Sequence, residues 1–256
     1  CDILMGVKEV PVENLIPNKK YFFFSHTIKK QKHNRNLLKA ILAKNIELYD
    51  HENIVDKNNV RLVAFGIYAG FVGAYNAFRT YGLKFNLFNL PKGEALHDKK
   101  MMIEELKKLK LPAIKVVLTG KGRVGNGVKE MLDGMQMREV FVDEFLTKTF
   151  DEPVYVQIDV LDYNKRKDGT VKDQNDFFKN PQEYESDFMR FANVADLYIT
   201  GHFYGVGAPQ IFTNEDAKST DFGTSPRLRA SSNFFCDGSN CLSSSSSSLM
   251  AHPQTV

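Results

Sequence analysis

Residues 115–127 read Lys-Val-Val-Leu-Thr-Gly-Lys-Gly-Arg-Val-Gly-Asn-Gly, and this stretch decides the fold. Its β-branched run from Val116 to Thr119 is typical of a buried strand. The run leads into glycines spaced Gly-x-Gly-x-x-Gly, and residues 124–133 then have the apolar spacing of an amphipathic helix. A second apolar run, 140–142, follows and ends in Asp143. This order of strand, glycine turn, helix and strand predicts an α/β fold with a parallel sheet.

The same segment predicts a dinucleotide ligand. Gly120 permits a tight turn, Gly122 lets the backbone approach a pyrophosphate, and Gly125 lets the helix lie close to the strand. Asp143 can accept hydrogen bonds from a ribose and would repel a 2′-phosphate, so we expect NAD rather than NADP. The alternative is a glycine-rich turn without a ligand. The expected cofactor-binding residues here are Gly120, Gly122, Arg123, Val124, Gly125 and Asp143.

The bulk composition is that of an ordinary globular protein. The chain has 256 residues, enough for one large domain or two modest ones, with 43% hydrophobic and 25% charged residues. A net charge of +3 without a basic stripe argues against a nucleic-acid partner. Three cysteines without metal-ligand spacing favour no metal and a reducing, cytoplasmic compartment. The uncharged stretch 62–78 is short and glycine-bearing, so we expect a buried helix and no membrane association.

The first 60 residues alternate between strand-like and helical patterns. Strands are predicted at 2–7, 21–25 and 46–49, with an amphipathic helix at 35–44, which indicates a second parallel sheet. Because the chain opens at Cys1 with strand-like sequence, we expect N-terminal sequence to be missing from the first domain.

The pattern beyond Asp143 is looser. We expect a strand at 154–160, a surface loop at 163–173, a helix at 180–191 and a strand at 195–200. The last strand opens into Gly-His-Phe-Tyr-Gly, residues 201–205, and a loop in that position faces the cofactor in doubly wound folds. This adds His202, Phe203 and Tyr204 to the expected cofactor-binding residues.

Three further segments carry a family resemblance: 6–9 (Gly-Val-Lys-Glu), 23–31 (Phe-Phe-Ser-His-Thr-Ile-Lys-Lys-Gln), and 48–52 with 61–66. Together they resemble saccharopine dehydrogenase (L-lysine-forming) and lysine–ketoglutarate reductase, within the alanine dehydrogenase superfamily. The resemblance covers roughly residues 2–222. It implies two Rossmann-like domains with an intervening cleft: a substrate domain, 1–66 plus about 237–256, and an NAD-binding domain, 67–236.

The resemblance also implies roles for individual residues. Lys8 and His26 match the acid–base pair, and Lys29 and Glu52 match positions that bind substrate and tune that pair. Arg61 matches a position that holds a substrate carboxylate. Phe65 would lie along the substrate chain, and Asp237 belongs to a tail segment that returns to the first domain.

The implied activity is NAD-dependent oxidation of the C–N bond of saccharopine to lysine and 2-oxoglutarate, or its reverse. Such chemistry needs groups that move protons at the substrate nitrogen, while the cofactor carries the hydride. Two alternatives stay open, an alanine-dehydrogenase-like enzyme and a catalytically inactive NAD-binding sensor. The expected partner is a small amino-acid substrate, and oligomerisation is left open.

Overall fold

The computed structural model describes residues 1–205 and 207–219. Near its N-terminus, three parallel strands form a sheet in the order β1-β2-β3. Helix α1 and the inward-facing side chains Leu15, Tyr21 and Phe23 form a small core on one face of this sheet. The elements are β1 (Ile3–Lys8), β2 (Lys20–Phe24), α1 (Arg35–Ala43) and β3 (Glu47–Asp50). The predicted parallel α/β arrangement of this region is confirmed.

A second parallel sheet contains the glycine-rich segment. Its strand order is β5-β6-β4-β9, so the strand that leads into the glycines lies between β6 and β9. Val116, Val117 and Leu118 of β4 are fully buried, as the β-branched run predicted. The elements are β4 (Lys115–Thr119), α4 (Arg123–Gly134), β5 (Arg138–Glu139), β6 (Val154–Ile158) and β9 (Leu197–Thr200).

A long helix, α2 (Gly66–Phe85), links the two sheets in sequence and packs against α4. The helices cross where both carry glycine. A Cβ on Gly70 would lie 2.2 Å from the Val124 carbonyl oxygen, and one on Gly127 would lie 2.2 Å from that of Ile67. Glycine is therefore required at the crossing. The contact places the start of α2 beside the start of α4.

The remaining elements surround the second sheet. Among the described residues, no helix combines the length and apolar character that crossing a bilayer requires. These elements are α3 (Lys99–Lys107), α5 (Val142–Thr147), β7 (Asn164–Arg166), α6 (Gln174–Lys179), β8 (Tyr184–Ser186), α7 (Met189–Ala192) and α8 (Asn214–Ser219).

Two local predictions were wrong. The apolar run 140–142 is not a strand, because α5 begins at Val142 with Asp143 and Glu144 in its first turn, where carboxylates favour a helix start. The segment 180–191 is not one helix, and β8 within it pairs antiparallel with β7, inside the predicted surface loop. Tyr184 is buried there and donates to Asp176, so tertiary contacts outweigh the helical pattern.

Candidate active site

Three of the predicted site residues meet around a fourth, the buried carboxylate of Glu52. The Glu52 side chain is only 3% exposed. Its Oε2 lies 3.0 Å from His26 Nδ1, and its Oε1 lies 3.2 Å from Lys29 Nζ and 3.3 Å from Arg61 Nη2. We refer to His26, Lys29, Glu52 and Arg61 as the charged cluster. A carboxylate this deeply buried needs cationic or hydrogen-bonding partners, and the cluster supplies them.

The cluster forms because β2 and β3 are neighbouring parallel strands. His26 follows the end of β2 and Glu52 follows the end of β3, so both lie at the same edge of the first sheet. A short 3₁₀ turn follows each strand end, Thr27–Lys29 and His51–Asn53. His26 has a φ of 54°, a left-handed conformation that is uncommon for a side-chain-bearing residue and turns its imidazole toward Glu52.

The contacts of His26 assign its neutral tautomer. Glu52 as a carboxylate can only accept, whereas the Lys29 ammonium can only donate. Both lie near Nδ1, Glu52 at 3.0 Å and Lys29 at 3.3 Å, and Nδ1 cannot donate to one while accepting from the other. The closer contact favours Nδ1–H donating to Glu52. Nε2 of His26 is then left without a proton and can act as a base.

Lys8 and Phe65 border this region. Lys8 is the last residue of β1, is exposed, and is in register with Phe24 of β2. The strands that end at Lys8 and precede His26 are thus neighbours, which places both residues at the same edge of the first sheet. The Phe65 ring is 46% exposed and lies 5.6 Å from that of Phe24, which in turn lies 6.2 Å from the His26 ring.

The glycine loop, residues 120–125, lies at the carboxyl end of β4. Its backbone packs so closely that two of its glycines have no room for a side chain. Gly120 has a φ of 93°, and a Cβ there would lie 2.7 Å from the backbone of His202. A Cβ on Gly125 would lie 2.0 Å from the Gly120 carbonyl oxygen. A Cβ on Gly122 would meet no atom within 4 Å, so open space lies directly before α4. Uncapped N–H groups facing open space fit a dinucleotide pyrophosphate.

Arg61 and Arg123 connect the charged cluster to the glycine loop. Arg61 pairs with Glu52 through its guanidinium, while its backbone carbonyl accepts a hydrogen bond from Arg123 Nη2 at 3.2 Å. Arg123 is in the first turn of α4, and its Cβ lies 3.2 Å from the position a Cβ would take on Gly66. Val124 packs beside it at the crossing with α2. The charged cluster and the glycine loop therefore contact each other through Arg61 and Arg123.

The loop after β9 closes the other side of the glycine loop. His202 Nδ1 lies 2.7 Å from Thr119 Oγ1, which lies 3.3 Å from the Tyr198 hydroxyl. Burial lowers the pKa of His202 from 6.5 to about 4, so its imidazole is neutral at pH 7. Phe203 is exposed, and the Tyr204 hydroxyl donates to the Ala208 carbonyl oxygen at 2.7 Å.

Asp143 does not have the surroundings that the sequence predicted. It is exposed in the first turn of α5, and β5, the strand before it, pairs with β6 rather than with β4. The strand next to β4 is β6, and the residue directly after it is Asp159. Gly120 N donates to the Ile158 carbonyl oxygen at 2.7 Å, so the backbone of the next residue, Asp159, lies beside the glycine loop. Its carboxylate accepts from Gln174 Nε2 at 2.6 Å.

Sequence reasoning missed residues that hold the loops in place. Gln157 Nε2 donates to the Gly120 carbonyl oxygen at 2.9 Å, and Asp50 bonds both strand-end loops of the first sheet. Their sequence signal is weak, because each is one polar residue at the end of a strand. Asp237 lies outside the described residues, as does the tail 237–256 of the predicted first domain, and the proposed domain boundaries stay predictions.

The two parallel sheets, with a glycine loop at the carboxyl end of one of them, define a Rossmann-like α/β protein. No protein-family model matches the chain. The chain is 30% identical over 244 residues to "Alpha-aminoadipic semialdehyde synthase, mitochondrial" of Bos taurus, covering 85% of the chain and 26% of that protein. It is 30% identical over 141 residues to "Saccharopine dehydrogenase [NAD(+), L-lysine-forming]" of Yarrowia lipolytica, covering 50% and 38% of the two chains.

These matches confirm the family resemblance, and the chain is a homologue of the saccharopine dehydrogenases and alpha-aminoadipic semialdehyde synthases. It spans about a quarter of the length of the semialdehyde synthases it matches. A solved L-alanine dehydrogenase aligns with 90% of the chain and 55% of its own length, at a TM-score of 0.43 and 12% identity. The predicted cytoplasmic location stays a prediction.

Proposed function

We propose that this chain carries the acid–base and cofactor sites of an NAD-dependent oxidoreductase that acts on the C–N bond of saccharopine. The reaction converts saccharopine, NAD⁺ and water into lysine, 2-oxoglutarate, NADH and a proton, or runs in reverse. The observation that carries the proposal is the joining of the charged cluster to the glycine loop through Arg61 and Arg123. These contacts support a site in which proton-transfer groups would lie next to a bound dinucleotide.

The chain's own residues would handle the protons. Saccharopine holds its two halves through a secondary amine, which must lose a proton before its carbon can give up a hydride. His26 Nε2, unprotonated when Nδ1 donates to Glu52, is the base we assign to that step. Lys8, at the end of the neighbouring strand, would exchange a proton as water adds to the resulting imine and the C–N bond breaks.

The cationic side chains would bind the substrate carboxylates. Arg61 is 46% exposed while it pairs with Glu52, so its guanidinium retains donors for a carboxylate. Lys29 is more buried and holds Glu52 in place beside His26. The Phe65 ring would line the path of the substrate's methylene chain.

NAD would bind with its pyrophosphate before α4 and would supply the hydride acceptor. Gly120, Gly122 and Gly125 provide the space, and Arg123 provides a cation at the same place. His202, Phe203 and Tyr204 lie in the loop after the adjacent strand β9. For the ribose, both Asp143 and Asp159 are candidates, and the strand order favours Asp159.

The test is saccharopine-dependent formation of NADH, with lysine and 2-oxoglutarate identified by mass spectrometry. His26→Ala and Lys8→Met should each lower turnover by about 10²-fold or more, the usual cost of losing a general acid or base. Each should also lose one limb of the pH–rate profile while NAD affinity stays unchanged, because neither residue is in the glycine loop. Exposed His97, outside both loop systems, provides a matched control as His97→Ala.

Three results would count against the proposal. Near-normal turnover with an unaltered pH profile in both variants would remove Lys8 and His26 from the acid–base role. Formation of NADH with alanine but not with saccharopine would assign the smaller substrate instead. NAD binding without turnover of either amino acid would favour the alternative of a catalytically inactive NAD-binding sensor.

A further inference from the structure

Asp50 is a buried carboxylate that bonds both loops of the charged cluster. It is the last residue of β3 and is only 7% exposed. Its Oδ1 accepts from the backbone N–H of Glu52 at 2.9 Å. Its Oδ2 accepts from the backbone N–H of Ser25 at 3.3 Å and also from the Ser25 hydroxyl. Ser25 immediately precedes His26, so one side chain holds the backbone on both sides of the His26–Glu52 pair.

This differs from an ordinary cap at the start of a helix. Asp98 caps α3 in the usual way, accepting from Met101 N–H at 2.8 Å within its own turn. Asp50 caps the turn that begins at His51 and in addition reaches across to a residue 25 positions earlier. The second bond fixes the separation of two loops rather than the end of one helix.

We propose that Asp50 is a positioning residue that sets the tautomer of His26. His26 Nδ1 has a carboxylate at 3.0 Å and an ammonium at 3.3 Å, so a displacement of a few tenths of an ångström decides which one it bonds. While Asp50 holds Ser25 and Glu52, Nδ1–H donates to Glu52 and Nε2 is a base. When the two loops separate, Lys29 donates to Nδ1 and the proton moves to Nε2, which can no longer accept one.

Asp50→Asn is the direct test, because an amide has one acceptor oxygen where the carboxylate has two. In the variant an NH₂ group faces either Ser25 or the Glu52 N–H, both of which donate to Asp50 in this structure. The Ser25 hydroxyl can turn to accept from that NH₂ group, but one of the two backbone N–H groups loses its acceptor without any change in side-chain size. Asp98→Asn makes the same chemical change in α3 and serves as the matched control.

The tautomer is read directly from long-range ¹H–¹⁵N correlation spectra of the imidazoles in the full chain, at a pH where they are neutral. The His26 signals are assigned by their loss in His26→Ala. We expect the Nδ1–H pattern in the wild type and in Asp98→Asn, and a shift toward the Nε2–H pattern in Asp50→Asn. An unchanged His26 pattern in folded Asp50→Asn would overturn the inference.

Ser25→Ala is the second variant, in case Asp50→Asn does not fold. It removes one bond to Asp50 and keeps the cap at Glu52, so we expect a smaller shift in the same direction, and no shift would also overturn the inference. The catalytic consequence rests on the proposed function: kcat should fall by about 10–10²-fold in Asp50→Asn, with NAD affinity unchanged. Because the tautomer needs no turnover, failure of the saccharopine assay contradicts the proposed function alone.

Discussion

The charged cluster and the glycine loop both lie at the carboxyl ends of parallel strands, yet they are built from opposite materials. The cluster consists of long charged side chains arranged around the buried carboxylate of Glu52. The glycine loop consists of backbone, and its closest contacts, such as Gly125 against Gly120, exist only where no Cβ is present. The charged cluster provides groups that can transfer protons, whereas the glycine loop provides open space lined by backbone N–H donors.

This difference predicts how each region responds to substitution. In the charged cluster, the exchange of one polar group for another changes charge and hydrogen bonding but leaves packing intact. In the glycine loop, even one added carbon has either a severe steric effect or none, depending on which glycine receives it. Gly125 and Gly122, three residues apart, represent these two extremes.

The largest effect is expected for Gly125→Ala. Its Cβ would lie 2.0 Å from the Gly120 carbonyl oxygen and 2.7 Å from the Gly120 carbonyl carbon, both backbone atoms that cannot move aside without displacing the loop. We expect the free energy of unfolding to fall by about 3 kcal/mol, the upper end of the usual cost of overpacking. Urea denaturation without cofactor measures this effect.

Gly122→Ala is the matched control, with the same change at a position where the Cβ meets nothing and φ is −81°. Its stability should equal that of the wild type. Its NAD affinity should still fall, by about tenfold or more, because the added methyl lies where a pyrophosphate would approach the backbone. If both alanine variants were equally stable, the glycine loop would not depend on close backbone contact.

The sequence predicted the architecture where the hydrophobic pattern of a segment was regular. The strands β1, β2, β3, β4 and β9 and the helices α1 and α4 lie within a few residues of their predicted bounds. The pattern failed at 140–142 and at 180–191, where the start of a helix and the pairing of β7 with β8 decided the structure. Such contacts depend on partners that are distant in sequence or on capping side chains, which periodicity does not report.

The sequence predicted which residues form the charged cluster, but not which residues hold the strand-end loops in place. The resemblance supplied His26, Lys29, Glu52 and Arg61, and the structure brings all four together. The roles of Asp50 and Asp159 depend on strand order, because a residue at a strand end matters only when the neighbouring strand is known. The predicted strand at 140–142 directed attention to Asp143, whereas the neighbour of β4 is β6.

The charged cluster and the loop after β9 each contain a histidine, but the surroundings of the two imidazoles differ, and this difference gives the next prediction. His26 faces a carboxylate, whereas His202 faces the hydroxyl of Thr119 and has its pKa lowered from 6.5 to about 4 by burial. Below pH 6.5 the unfolded chain therefore binds a proton at His202 that the folded chain does not. Stability from this residue is fully present above pH 6.5 and is lost as the pH falls toward 4.

We expect that loss to be about 2 kcal/mol, allowing for the partial exposure of the ring. It is measured as the change in the free energy of unfolding between pH 7 and pH 4 in the wild type, compared with the same change in His202→Asn. His97→Asn, at an exposed position, should behave like the wild type. Identical pH dependence in wild type and His202→Asn would show that His202 protonates freely in the folded chain.

The smallest effect concerns the choice between NAD and NADP, and it separates two carboxylates. Asp159 directly follows β6, the strand beside β4, and is the residue whose backbone continues from the Ile158 carbonyl that Gly120 bonds. Asp143 is in the first turn of α5, beyond a strand that pairs with β6 and not with β4. In doubly wound folds the adenine ribose lies over the end of the strand next to the glycine strand.

We therefore expect the wild type to bind NAD at least tenfold more tightly than NADP, and Asp159→Asn to lose most of that preference. A carboxylate repels a 2′-phosphate and accepts two ribose hydroxyls, while an amide does neither as well, and a tenfold change corresponds to about 1.4 kcal/mol. Asp143→Asn, the same exchange on an exposed helix turn, should keep the preference. Calorimetric titration of both cofactors into the three proteins measures it. If only Asp143→Asn lost the preference, the ribose would lie near α5, and the strand order would be the wrong guide to this site.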